Sequence, residues 1–379
     1  MLTYFRPSKS DNMLKKLSLL SIFLIISLIG FSQEAPEDGL TDEERAFSDS
    51  IATVNEASEE NALAMNAYNE GIKAFQAKNY SVAIQNFDKA IAGRPDFVDA
   101  YFNKGMAQIE DGEEQDAIAT FDKVLSLDTN NSKSYVKKGE CYTALGDYKM
   151  AIKSYDKGMK LDPTNEKTPY AMGDVYFLSE NYEAAIEQFT KAIKINPDYA
   201  YAYNDRGSSY RMLENYSLAV NDYNKAASLA PKLAFIYNNI GAIKKKQKDY
   251  PGAIAAYQKA IIADAKFYLA YNNRGSIYFE QGKYAEAEKD FKAVIAMNPK
   301  YAPPYNSVSA IRFKQEKCKE AEAEASKAIK IDTNYASAYV NRGVAREMLR
   351  NQNGACSDWQ KAKDLGSELG NIYLIGNCN

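Results

Sequence analysis

The sequence predicts an all-α solenoid: nine 34-residue helix-turn-helix rows closed by a C-terminal capping segment. Rows of 34 laid from Ala64 run to Leu369 without an insertion, and self-similarity at such a period marks stacked units that bury their apolar faces only against one another. Within the row from Ala200 to Leu233, Tyr203, Gly207 and Tyr210 are spaced i, i+4, i+7, as are Ala219, Tyr223 and Ala226, so each trio shares one face of its own helix. Glu214-Asn215-Tyr216 supplies the turn between the two helices, with Asn215 as cap, and Pro231 ends the second helix.

Before the rows come two segments of different character. In residues 1–32, Met13-Leu-Lys15-Lys16 precedes an apolar run from Leu17 to Phe31, with Gly30 and Ser32 as small residues at its end. This reads as a cleavable bacterial secretory signal, with Met13 as an alternative start and an uncleaved N-terminal membrane anchor as the competing reading. Residues 33–60 carry ten acids against Arg45 alone. Segment 33–63 is therefore expected to be an acidic spacer, partly disordered or partly helical, with Thr41 and Glu44 at capping-box spacing.

The rows agree column by column. A small residue recurs at Gly71, Gly105, Gly139, Gly173, Gly207, Gly241, Gly275, Ser309 and Gly343. Alanine stands in every row of a second column, from Ala83 to Ala355. An aromatic column runs Phe87, Phe121, Tyr155, Phe189, Tyr223, Tyr257 and Phe291, breaks at Ala325 and returns at Trp359. Small residues let two helix backbones approach, and the aromatics fill the volume left between pairs. In these bulky, small, aromatic, small and Pro positions the chain resembles the tetratricopeptide repeat family over roughly four fifths of its length. The resemblance implies a right-handed superhelix whose concave face is lined by the first helix of each pair, and a protein that binds other proteins.

Segment 370–379 is expected to be a cap or tail. Cys356 and Cys378 bracket the last helix and this tail, and four cysteines allow three full pairings or none. Ala355-Cys356-Ser-Asp358-Trp359-Gln-Lys-Ala362, with Leu365-Gly366 and the late cysteine, resembles the ending of many exported bacterial proteins of this family. That likeness implies a Cys356 to Cys378 bridge, stapling the cap onto the array in an oxidising compartment.

Little in the composition supports catalysis. The chain has no His, which removes the usual imidazole base, nitrogen metal ligand and His-based triad. No phosphate-cradling glycine loop or metal-ligand cluster interrupts the rows, so no enzyme activity, cofactor or metal is expected. The formal net charge of −3, without a basic stripe, argues against general nucleic-acid binding. Lys244-Lys245-Lys246 reads as a solvated helix end.

Carried over residue by residue, the family's groove positions are the fifth, sixth, ninth and twelfth of each row. The early rows place Tyr68, Phe102, Met106, Ile109, Tyr170 and Phe177 there; later rows place Asn204, Asn238, Asn239, Asn272, Asn273, Asn306 and Asn341, with Arg211 and Lys245. Asn69, Asn103, Asn239, Asn273 and Asn341 share the sixth position. They resemble the asparagine ladder with which the repeats of O-linked N-acetylglucosamine transferase hold peptides, since an amide offers donors and an acceptor to an extended backbone. The alternative is that they bond only to neighbouring helices. Asn103, Lys133 and Lys137 match part of a carboxylate clamp, but Tyr68 and Ile72 replace its Lys and Asn. Arg206, Arg274 and Arg342 recur every second row and are expected to bridge repeats or, alternatively, to anchor an acidic partner. The expected protein is a non-catalytic scaffold of the cell envelope that holds an extended peptide or protein in its groove, or else a structural subunit bound through its convex face and ends.

Overall fold

A computed structural model describes residues 42–378 and shows 19 α-helices and no strand among them. The expected secretory signal and the start of the spacer lie outside the described residues. Helix α1 (Asp42–Gln76) runs from the acidic segment straight into the first row. Then follow α2 (Tyr80–Gly93), α3 (Val98–Asp111), α4 (Glu114–Leu127), α5 (Ser132–Ala144), α6 (Tyr148–Leu161), α7 (Lys167–Leu178), α8 (Tyr182–Ile195), α9 (Ala200–Met212) and α10 (Tyr216–Leu229). The array continues with α11 (Ala234–Lys246), α12 (Tyr250–Ala263), α13 (Tyr268–Glu280), α14 (Tyr284–Met297), α15 (Pro303–Lys314), α16 (Cys318–Ile331), α17 (Ala336–Met348) and α18 (Gln352–Asp364), and ends on α19 (Glu368–Asn377).

The pairs follow the rows because the columns force it. Phe87, Phe121, Phe189, Tyr223 and Trp359 have no exposed surface, and each large buried side chain contributes on the order of 2 kcal/mol. Each ring packs against the small residue of the partner helix: a methyl group on Gly241 would sit 2.5 Å from the Tyr257 ring, and one on Gly71 2.6 Å from Phe87. The eighth row exchanges both partners. With Ala325 in place of the ring there is room for Ser309, whose hydroxyl donates to the Ala321 carbonyl at 2.7 Å. The two column breaks are thus one compensated change.

Each turn inside a pair places one residue at positive φ, at a constant interval of 34. Glycine takes that place at Gly112, Gly146 and Gly282, whereas Lys78, Glu180, Glu214, Lys248, Glu316 and Arg350 accept the left-handed backbone without it. The next residue caps the second helix where it is Asn or Asp: Asn215 accepts from the Leu218 amide at 3.4 Å, and Asp147 from Met150 at 3.1 Å.

Curvature follows from contacts between pairs. Each odd-numbered helix brings Cα atoms within 8 Å of the odd-numbered helix of the next pair, while no two of the even-numbered helices α2 to α18 approach that closely. A stack closed on one side and splayed on the other is concave on the closed side, so α3, α5, α7 and their successors line the groove.

At the end of the array, Trp359 stacks on Tyr373 of α19, with ring centroids 5.2 Å apart and planes 15° apart. Cys356 and Cys378 form a disulfide with 5.7 Å between their Cα atoms. The Gln352 amide donates to the Asn377 carbonyl at 2.6 Å. Closing a loop of 22 residues is worth about 3 kcal/mol of denatured-chain entropy. Reduction, or Cys378→Ser, is therefore expected to loosen α19 first. Trp359 is the only tryptophan, so its emission should shift to the red in lower denaturant than the array unfolds; an unchanged Trp359 transition would remove the disulfide from the account of the cap.

Candidate functional site

The asparagines of the groove spend their amides on one another. Asn239 donates to Asn204 Oδ1 at 3.1 Å, Asn273 to Asn238 at 2.9 Å, and Asn341 to Asn306 at 2.8 Å. Asn103 donates to the Tyr68 hydroxyl at 2.8 Å. In every case the sixth position of one row reaches the fifth position of the row before. The fifth position, expected to line the groove, is instead a joint between repeats: Asn204 and Asn306 are only 6% and 9% exposed. The Ala substitutions that would test a ladder at Asn239 and Asn273 therefore also break this joint. What Asn239, Asn273 and Asn341 keep for a ligand is a second N–H and the side-chain oxygen. The sixth position of the row after Asn272 is Ser307, which has no amide to donate, and Asn272 Oδ1 is buried without a hydrogen bond. Asn69, with no pair before it among the described residues, is exposed.

The expected aromatic lining is half-buried packing with one edge on the groove. Tyr68 lies 4.8 Å from Phe97, Phe102 5.6 Å from Phe121, and Phe177 5.4 Å from Tyr182, between ring centroids. Several cations of the groove and its rim are paired within the chain. Lys245 meets Glu280 at 2.8 Å, Lys244 meets Asp249 at 2.9 Å, Lys246 meets Glu214 at 2.7 Å, and Lys137 meets Glu140 at 2.7 Å. With Asn103 engaged as well, two of the three residues of the partial clamp are held by internal partners.

The recurring arginines bridge three helices each. Arg206 donates from Nε and Nη2 to both oxygens of Asp222, at 2.7 and 2.8 Å, and from Nη1 to Thr190 of the previous repeat at 3.0 Å. Arg274 does the same with Asp290, at 2.8 and 2.7 Å, and reaches Gln258. Arg342 grips Asp358 at 2.9 and 2.6 Å. Bidentate pairs this deeply buried hold the repeats and offer nothing to an acidic partner.

One part of the groove is not consumed by the fold. Between α7 and α9 lies a cavity of about 370 Å3 lined by Asp174, Phe177, Leu178, Asp205, Ser208 and Arg211. These are the ninth, twelfth and thirteenth positions of one row and the sixth, ninth and twelfth of the next. Tyr170 Oη donates to Asp205 Oδ2 at 2.6 Å and Asn204 Nδ2 to Oδ1 at 2.9 Å, so that carboxylate is fixed. Asp174 makes no hydrogen bond or ion pair with any described residue. Burial first, and then the facing charge of Asp205, push its carboxyl up to about 7. Burial also raises Asp205. Arg211 does not neutralise the pair; its guanidinium is turned to the Tyr223 hydroxyl.

The sequence reading placed Phe177 and Arg211 here but missed the two acids. The available signal was Asp205 in a column otherwise rich in asparagine, one row after an Asp at the ninth position. Among the described residues there is no group of three or more side chains arranged to hold a metal, and no helix long and apolar enough to cross a membrane.

Sequence profiles described as tetratricopeptide repeat match residues 68–132, 200–233, 236–267 and 268–301. One described as TPR repeat matches 173–213, and one for the anaphase-promoting complex, cyclosome, subunit 3 matches 110–192. MamA, a solved structure, is 30% identical over 43% of this chain and 95% of its own, with a TM-score of 0.41. A tetratricopeptide repeat protein from Parabacteroides merdae is 21% identical over 65% of this chain and 99% of its own, at a TM-score of 0.51. The anaphase-promoting complex hetero-tetramer Cut9-Hcn1 is 14% identical over 83% of this chain and 76% of its own, at 0.52. Below a quarter identity, the last two speak for the fold alone. No curated protein sequence matches the chain.

Proposed function

The chain belongs to the tetratricopeptide repeat family, and on that premise we propose that it is a non-catalytic scaffold of the bacterial cell envelope that holds an extended peptide, or an extended segment of a protein, in its concave groove. The observation that carries this reading is the cavity between α7 and α9. Elsewhere the expected groove residues are largely bonded to one another, whereas here apolar walls meet the carboxylate of Asp174, which makes no hydrogen bond or ion pair with any described residue. The envelope assignment rests on the charged start and apolar run of residues 1–32 and on the Cys356–Cys378 disulfide, a bond that persists outside a reducing cytosol.

A second reading has its own observation. At the outer edge, Pro231, Lys232, Tyr237, Lys259, Ile262 and Ala263 line an open recess of about 490 Å3, and Ile262 is 75% exposed. An apolar residue this bare suits a partner docked outside the groove. Photocrosslinking in intact cells separates the two. With benzoylphenylalanine at Arg211 in one strain and at Ile262 in another, the groove reading expects a defined partner captured from Arg211. Capture from Ile262 alone would overturn it in favour of a subunit bound through its outer surface.

A further inference from the structure

We propose that the cavity between α7 and α9 is a receptor for one basic side chain, the ammonium of a Lys or the guanidinium of an Arg, carried by a peptide lying in the groove. This rests on the groove reading and names the chemistry of its ligand. At about 370 Å3 the cavity is at the small end of ligand pockets, which run from about 300 to 1,000 Å3. It has room for one long side chain and the backbone that bears it. Its walls match such a side chain along its length. Phe177 and Leu178 offer apolar surface to the methylene stem, Leu178 being 55% exposed in the free protein. Asp174 and Asp205 meet the charged end.

Charge decides the sign of the ligand. Two neighbouring carboxylates in a partly desolvated site repel each other, and no cation among the described residues is paired with either of them. Asp205 is positioned by Tyr170 and Asn204, each of its oxygens accepting one bond and keeping a second lone pair free. Asp174 has its whole acceptor capacity unspent. A cation entering from the groove would relieve the repulsion and donate its N–H groups to the free lone pairs of Asp174 and Asp205. An acidic side chain would add a third negative charge. Arg211, at the rim, disfavours a second positive charge beside the first, so the site reads an isolated basic residue and not a polybasic run. The groups facing Asp174 are Asp205, Tyr170, Tyr199 and Tyr155, with the Lys137–Glu140 pair one repeat away. Of these, burial raises the tyrosines and Asp205, and Asp174 is the group pushed up to about 7.

The test uses the full chain and acetylated, amidated Gly-Ser heptapeptides that differ only in a central Lys, Arg, norleucine, citrulline or Glu, titrated by calorimetry. Lys and Arg peptides should bind at least tenfold more tightly than their neutral isosteres, and the Glu peptide should not bind. Binding should take up the ionised form of Asp174, releasing a proton near pH 7 and weakening about tenfold between pH 8 and pH 6. Asp174→Asn should abolish the preference for Lys over norleucine, while Glu183→Gln, an equal change of charge on the outer helix α8, should leave it intact. Equal affinity for Lys and norleucine, no binding of any peptide, or calcium binding at Asp174 in place of peptide would each overturn the inference. A partner captured at Arg211 whose crosslinked segment lacks a basic residue would overturn it too, while leaving the groove reading standing.

Discussion

Arg274→Met is expected to cost about 3 to 5 kcal/mol, the loss seen when one partner of a buried ion pair is removed and the other stays uncompensated. Asp290 is 3% exposed, and both its oxygens accept from Arg274 alone among the charged groups around it. Because stability in a repeat array is a sum over neighbours, the loss should appear as fraying of α13 and α14 and of their contacts with α12, not as a uniform shift. Hydrogen exchange resolved by peptide measures this directly. The double variant Arg274→Met with Asp290→Leu should recover most of the loss, since an apolar pair of similar volume avoids the desolvation that the charges incur. Arg342→Met should cost less: Arg346 also bonds Asp358, at 2.9 Å, and continues to neutralise it. If the two single changes were equal and below about 1 kcal/mol, the pairs would be behaving as surface ion pairs, and their bridging role would be lost.

These pairs also show what a linear sequence discloses in a repeat protein. Column patterns were legible because each is enforced within one row: a ring on the second helix demands a missing Cβ on the first, and the exchange at Ser309 and Ala325 obeys the same volume rule. The left-handed turn residues were not legible, since Lys78, Glu180 and Arg350 have no side-chain chemistry in common and only their place in the row sets their backbone. The groove was half legible. Position in the row told which residues approach it, but the hydrogen bonds that withdraw Asn204 and Asn306 run between rows, 35 residues apart. Asp174 and Asp205 were hidden for the same reason. They are unremarkable acids in separate rows until stacking brings α7 beside α9, and only then does a pair of unneutralised charges exist.

That pair should make the free protein less stable than it could be, in a manner that pH reveals. Asp174 holds its proton up to about 7 in the folded chain against a model-peptide value near 4. Between those values the folded state binds the proton more tightly than the unfolded chain, so stability falls as pH rises from about 4 through 7 and is level above. Asp174→Asn, a neutral isostere, should abolish this slope. Three pKa units would correspond to about 4 kcal/mol, and the partial solvent contact of a groove-facing carboxylate reduces that to about 2 kcal/mol. Urea denaturation at pH 5 and pH 8 should therefore show the variant more stable than the parent at pH 8, with the gap narrowing toward pH 5. A variant that gained stability while losing its preference for basic peptides would mark Asp174 as a group retained at a cost to the fold. A variant destabilised at pH 8 would instead assign the carboxylate a structural partner, and the cavity would lose its claim to a cation.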